Sequence, residues 1–258
     1  MLVLFCLVAC DANSSSSFQC DLHTVKDEMP GLAAFQGGAR SGGIDATLSL
    51  YRDAMAAQRL AAAEAYFCMG EILVSFGRAQ EALDMYEQSI AENDSLYEHF
   101  LARAQLRTSL GDCSGALADF ESVIINGGAG FIVDLTRAQA LVDCGYAAEA
   151  LSALDSAGSK ISGRVMPVDW VFTRARVLAV QEEYEEALLQ AEDAVRRITE
   201  LGNCLPVMSR CINPRLIEVV DLKTDILCRM GRVEDAAQIY DLHGKYQQPR
   251  ATPPACLE

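Results

Sequence analysis

The side chains with the greatest chemical reach in this 258-residue chain are ten cysteines, three histidines at His23, His99 and His243, and one serine in a glycine-bounded turn, Gly111-Asp112-Cys113-Ser114-Gly115. A nucleophilic serine needs a base to take its proton, and no histidine is placed to activate Ser114. Thiolate metal sites are built from close cysteine pairs, but no Cys-x-x-Cys occurs and the histidines are widely separated. Cys204 and Cys211 are spaced too far apart for an oxidoreductase dithiol. Gly127-Gly128-Ala129-Gly130 follows no strand, so it reads as a helix terminator and not as a dinucleotide loop. The expectation is a non-enzymatic chain: no catalytic residue, no metal ligand, no cofactor.

What positions these residues is a repeating helical pattern. Between Ala63 and Leu96, two amphipathic runs, Tyr66/Met69/Gly70/Leu73 and Ala82/Tyr86/Ser89/Ile90, flank a turn at Gly77. Gly77, Gly111 and Gly145 are 34 residues apart, as are Ala82, Ala116 and Ala150. Ala187 then follows Ala150 by 37 residues, and Ala236 follows Ala187 by 49. The columns Gly70/Ala104/Ala138/Ala175/Thr224 and Tyr86/Phe120/Leu154/Ala191/Tyr240 shift by the same steps. Small residues recur because two helices that cross closely leave room for nothing larger.

A 34-residue helical hairpin with this pattern resembles the tetratricopeptide repeat (TPR) family. The resemblance covers about Gly42 to Tyr246, although the family's usual proline after the second helix is missing. It implies an all-α fold, a right-handed α-solenoid of about five TPR hairpins plus a degenerate N-terminal unit. The units fall near 63–96, 97–130, 131–157, 168–201 and 217–246, with the degenerate one at 31–62, inside a solenoid over 31–246. Residues 247–258, with Pro249, Pro253 and Pro254, form a tail expected outside the stack. In this family the first helices line a concave, peptide-binding surface. Carried over, the groove column is Phe67, Leu101, Leu135 and Phe172, flanked by Glu71, Gln105, Gln139 and Arg176. The competing reading is that this apolar column is core. A carboxylate clamp of the chaperone-tail type is not expected, since these columns supply one arginine.

Residues 1–9 are almost wholly apolar and precede Cys10 and a polar run, Asp11 to Ser17. Leu7-Val8-Ala9-Cys10 resembles a bacterial lipobox, which implies a signal peptide over 1–9, a lipidated Cys10 and a tether over 10–30. No Lys or Arg precedes the apolar run, so a short secretory signal or an ordinary N-terminus stays open. Export would leave eight cysteines for disulfides. Cys204 with Cys211 flank a short loop in the longest insertion. Cys113 with Cys144 stand at consecutive hairpin turns, and Cys20 with Cys68 and Cys228 with Cys256 follow by elimination. Separate buried thiols are the alternative.

A net charge of −15 argues against nucleic acid and against docking on anionic lipid. The combined expectation is a scaffold or assembly factor in the bacterial cell envelope, lipid-anchored and facing the periplasm. It would bind an envelope protein or peptide, basic with apolar anchors, and no small-molecule substrate. Pilotins and the TPR subunit of the barrel assembly machine share this architecture. The competing class is a soluble intracellular TPR adaptor with free thiols.

Overall fold

The computed structural model describes residues 42–58, 60–161, 166–200, 205–207, 210–212, 214–244 and 256. The expected signal segment, Cys10, the tether, Cys20, the partner helix sought at 30–40, Cys204 and most of the tail lie outside the described residues. So does the side chain of Cys211.

Among the described residues eleven helices run α1 (Gly42–Ala56), α2 (Ala62–Ser75), α3 (Ala79–Glu92), α4 (Tyr97–Ser109), α5 (Cys113–Ile125), α6 (Phe131–Asp143), α7 (Ala147–Ser159), α8 (Val168–Val180), α9 (Tyr184–Glu200), α10 (Pro214–Arg229) and α11 (Val233–Gly244). They pack as five hairpins, α2–α3, α4–α5, α6–α7, α8–α9 and α10–α11, with α1 against α2 as the remnant of a sixth. Two compact units divide the chain between Gly128 and Ala129. In the first, α3 packs on α4; in the second, α7 packs on α8 and α9 on α10, and the first helices α6, α8 and α10 touch in succession.

The repeating columns are the helix crossings. Ala82, Ala116, Ala150, Ala187 and Ala236 are fully buried, as are Ala104, Ala138, Ala175 and Thr224. At Gly70 a methyl group would fall 2.5 Å from Tyr86 Cε1. The Tyr86 ring is itself held, packed against Phe67 and donating from its hydroxyl to Glu71 Oε1 at 2.5 Å. Bulky neighbours fill the grooves beside these crossings: Tyr86, Phe120 and Leu154 are all buried.

Every hairpin turn is closed the same way. Gly77, Gly111, Gly145 and Gly231 take φ between +73° and +82°, and each hairpin's next amide donates back into the first helix: Arg78 to Leu73, Asp112 to Arg107, Tyr146 to Leu141 and Arg232 to Leu227. This is the Schellman arrangement, which satisfies the last carbonyls of a helix through one left-handed residue. In the α8–α9 hairpin that residue is Glu182, at φ +64°, and Glu183 donates to Leu178. A side chain there is strained against its own carbonyl. Glu182→Gly is therefore expected to stabilise the second unit by about 0.5–1 kcal/mol in chemical denaturation, after the loss of backbone entropy is counted.

One feature differs from the sequence reading. The insertion after α9 carries a short antiparallel ribbon, β1 (Leu205–Val207) and β2 (Arg210–Ile212), with Pro206 opposite Cys211. Cys256 is bonded to Cys228, one of the pairings expected by elimination, and packs against the cluster formed by Leu178, Leu188, Ile226, Leu227 and Ala236. Cys68, Cys113 and Cys144 are also disulfide-bonded.

Candidate functional site

The expected groove residues all lie on first helices, whose apolar stripe must serve both the hairpin interior and the exposed face. In the first unit Phe67 is buried in the core, with its ring stacked on His99 at a centroid separation of 4.7 Å. Leu101 is half-buried. In the second unit Leu135 and Phe172 are each only 6% exposed. Three of the four apolar positions are therefore packed as floor, and the accessible atoms belong to their half-buried polar neighbours Glu71, Gln105, Gln139 and Arg176.

In the second unit these polar groups form a braced ladder. Arg176 of α8 is paired with Asp143 at the end of α6, and Gln139 Nε2 donates to Thr173 Oγ1 at 3.4 Å. Thr173 in turn donates to the Asp169 carbonyl at 2.7 Å. Arg215 of α10 pairs with Asp169 at 2.8 Å and with Glu218 at 2.5 Å. The Arg176 and Arg215 guanidinium carbons lie 5.9 Å and 5.3 Å from the Phe172 ring centre, so a buried ring is flanked by two fixed cations. Each arginine keeps roughly a quarter of its side chain exposed and already has a carboxylate partner. The face offers oriented donors and acceptors with little net charge, which suits polar backbone recognition.

Sequence reasoning missed Asp143, Thr173 and Arg215. Asp143 lies 33 residues before Arg176, close to one repeat, and this interval could have shown that they meet across adjacent first helices. Arg215 gave no such signal, because it follows the long insertion.

In the first unit Glu71 is held above the ordinary carboxylate range by burial, an effect opposed by the hydrogen bond from Tyr86. His99 is fully buried, with Nδ1 2.9 Å from Ser89 Oγ, and Ser89 donates its only proton to the Ala63 carbonyl at 2.6 Å. Nδ1 must then carry the imidazole proton and donate to Ser89, which fixes the neutral tautomer. Burial pushes the His99 pKa down to about 4. Between the unfolded value near 6.5 and about 4, the unfolded chain binds a proton that the folded chain does not, so stability falls as pH falls through that window. The loss approaches about 2–3 kcal/mol at the lower end. Glu71 acts in the opposite sense, since its folded pKa is raised. Comparing unfolding midpoints from pH 7 to pH 4 in wild type and His99→Asn isolates the histidine: the variant should be less stable at pH 7 but flatter across the window.

The two glycine-rich turns lie at helix ends. Asp112 caps α5 by accepting from the Gly115 amide at 3.0 Å, and Ser114 Oγ donates to the same carboxylate at 3.2 Å, so the serine turn is a helix cap. Gly127, at φ +81°, ends α5, with Gly128 donating to the Val123 carbonyl at 2.8 Å. Among the described residues no group of three or more His, Cys, Asp or Glu is placed to hold a metal. No described helix is long and apolar enough to cross a membrane.

Comparison with protein-family models and with curated proteins finds no match. Solved structures do match. One is a tetratricopeptide repeat protein from Parabacteroides merdae (TM-score 0.64, 18% identity, 81% of this chain and 76% of that one). A second is a thermophilic TPR protein of Thermus thermophilus (TM-score 0.54, 19% identity, 72% and 91%). A third is YrrB, a TPR protein with an unusual peptide-binding site (TM-score 0.50, 16% identity, 76% and 92%). At these identities the likeness is one of fold, and the fold is that of the tetratricopeptide repeat proteins.

Proposed function

We propose that this protein is a non-catalytic scaffold that holds a segment of another protein along the first-helix face of its second unit. The observation that carries this reading is the braced ladder Asp143–Arg176, Gln139–Thr173 and Asp169–Arg215, which leaves half-exposed polar groups in fixed orientation over a packed apolar floor. Pre-organised donors lower the ordering cost of binding an extended backbone. YrrB, described by its peptide-binding site, supplies a precedent on the same fold. The chain's charge of −15 favours a partner with basic residues.

The cell envelope is the proposed location. The reading rests on Leu7-Val8-Ala9-Cys10 and is supported by the disulfide-bonded state of Cys68, Cys113, Cys144, Cys228 and Cys256, which suits an oxidising compartment. Fatty-acid labelling that persists in Cys10→Ala would remove the lipid anchor from this account.

For the groove, the test is photocrosslinking in cells from position 139, with the exposed outward position 149 as control. Leu135 is too buried to carry the probe. One protein captured from 139 and absent from 149, and lost in Arg176→Glu, supports the site. Equal capture from both positions, or none from 139, refutes it.

A further inference from the structure

Among the described residues α11 is the last helix, and few of its described side chains are buried. Of the described side chains of α11 only Ala236 is fully buried, whereas α9 buries Ala187, Leu188, Ala191, Ala194 and Ile198. α11 packs on α10, and the hold on a helix depends on the area it buries against its neighbours. Against that thin contact stands a covalent one. Cys228, in the last turn of α10, is bonded to Cys256 across 28 residues, and the loop so closed contains the whole of α11. Cys256 is half-buried and packs on the cluster that α11 completes, together with Leu178, Leu188, Ile226 and Leu227. Arg229, beside Cys228, is hydrogen-bonded to Tyr184 at the start of α9 and to Asp225 at 2.8 Å, which holds the α10 end of the loop independently of α11.

We propose that the Cys228–Cys256 disulfide is a redox latch on α11. Oxidised, it closes the loop around α11 and seats Cys256 on the α8–α10 cluster. Reduced, it frees α11 to leave the stack and uncovers the apolar surface of Leu178, Leu188, Ile226 and Leu227, while α8 to α10 stay folded on their own packing. The reductant is a dithiol. Its thiolate attacks one sulfur of the pair, the S–S bond breaks, and the other sulfur leaves as a thiolate that takes up a proton. The reductant's second thiolate then attacks its own sulfur in the mixed disulfide and expels the remaining cysteine as a thiolate that takes up a proton, so the reductant becomes a disulfide and the pair two thiols. Both cysteines are half-buried, so the bond is within reach of such a reagent. The proposal is independent of the groove reading.

The test is amide hydrogen exchange on the full chain, comparing wild type with Cys256→Ser and Cys228→Ser. Protection in α11 should fall by about tenfold or more, with α8 and α9 changed less than about twofold. Unchanged α11, or an equal loss throughout the second unit, overturns the latch. If the variants do not fold, wild type is equilibrated in a series of dithiothreitol ratios, alkylated and mapped by mass spectrometry. Alkylation of Cys228 and Cys256 before the other disulfide cysteines, on protein that keeps its helical signal, supports the latch; reduction of this pair last, or only with global unfolding, refutes it.

Discussion

Asp119→Ala should cost the first unit about 3 kcal/mol, read as a drop in urea midpoint at unchanged slope. Asp119 of α5 is 2% exposed and takes three charged hydrogen bonds from α4: Arg103 Nε at 3.0 Å, Arg103 Nη2 at 2.7 Å and Arg107 Nη1 at 2.8 Å. The arginines stand one helical turn apart, each less than a fifth exposed at the side chain. The carboxylate neutralises their mutual repulsion as well as joining the two helices. Its removal leaves two cations side by side, short of water and without their common acceptor. Arg107 retains weaker contacts to Glu87 at 3.7 Å and Asp112 at 3.6 Å, which keeps the expected loss at the lower end for a broken buried pair. Asp119→Asn, which keeps the shape and one acceptor oxygen, should lose about half as much. A loss below about 1 kcal/mol for the alanine variant would mean that the triad contributes registry and little stability.

The triad also marks the limit of what the sequence could show. Positions one repeat either side of Asp119 are Met85 and Ala153, and those either side of His99 are Ala65 and Val133. A feature confined to one unit has no column to betray it. The crossings were legible for the opposite reason: close helix contact imposes a small residue in every unit, and the buried alanines fall where the 34-, 37- and 49-residue steps put them. Glu182 lies between these cases. The register places it at the left-handed turn position, yet a glutamate gives no hint of positive φ, because the backbone there is imposed by the two helices it joins. The first-helix face was legible only in part. Helical spacing assigns Phe67, Leu135 and Phe172 to a face but not to a depth, and the ion pairs that brace the face join residues on different helices.

Depth at the crossings can be tested where the column is tightest. Ala116→Leu should destabilise the first unit by about 2–3 kcal/mol, the upper range for overpacking. Ala116 is fully buried and so is Ala104, its counterpart on the facing helix, so the added carbons meet backbone on one side and Phe120 and Val123, both buried, along their own helix. Side chains that are packed on every face cannot move aside without opening gaps elsewhere. Ala118, two residues on in the same helix, is exposed, and Ala118→Leu has the same change in volume and helix propensity. It should move stability by no more than about 0.5 kcal/mol. The difference between the two variants isolates the crossing from the helix. Equal effects would mean that α4 and α5 do not approach closely at Ala116, and the repeating small residues would then need another explanation.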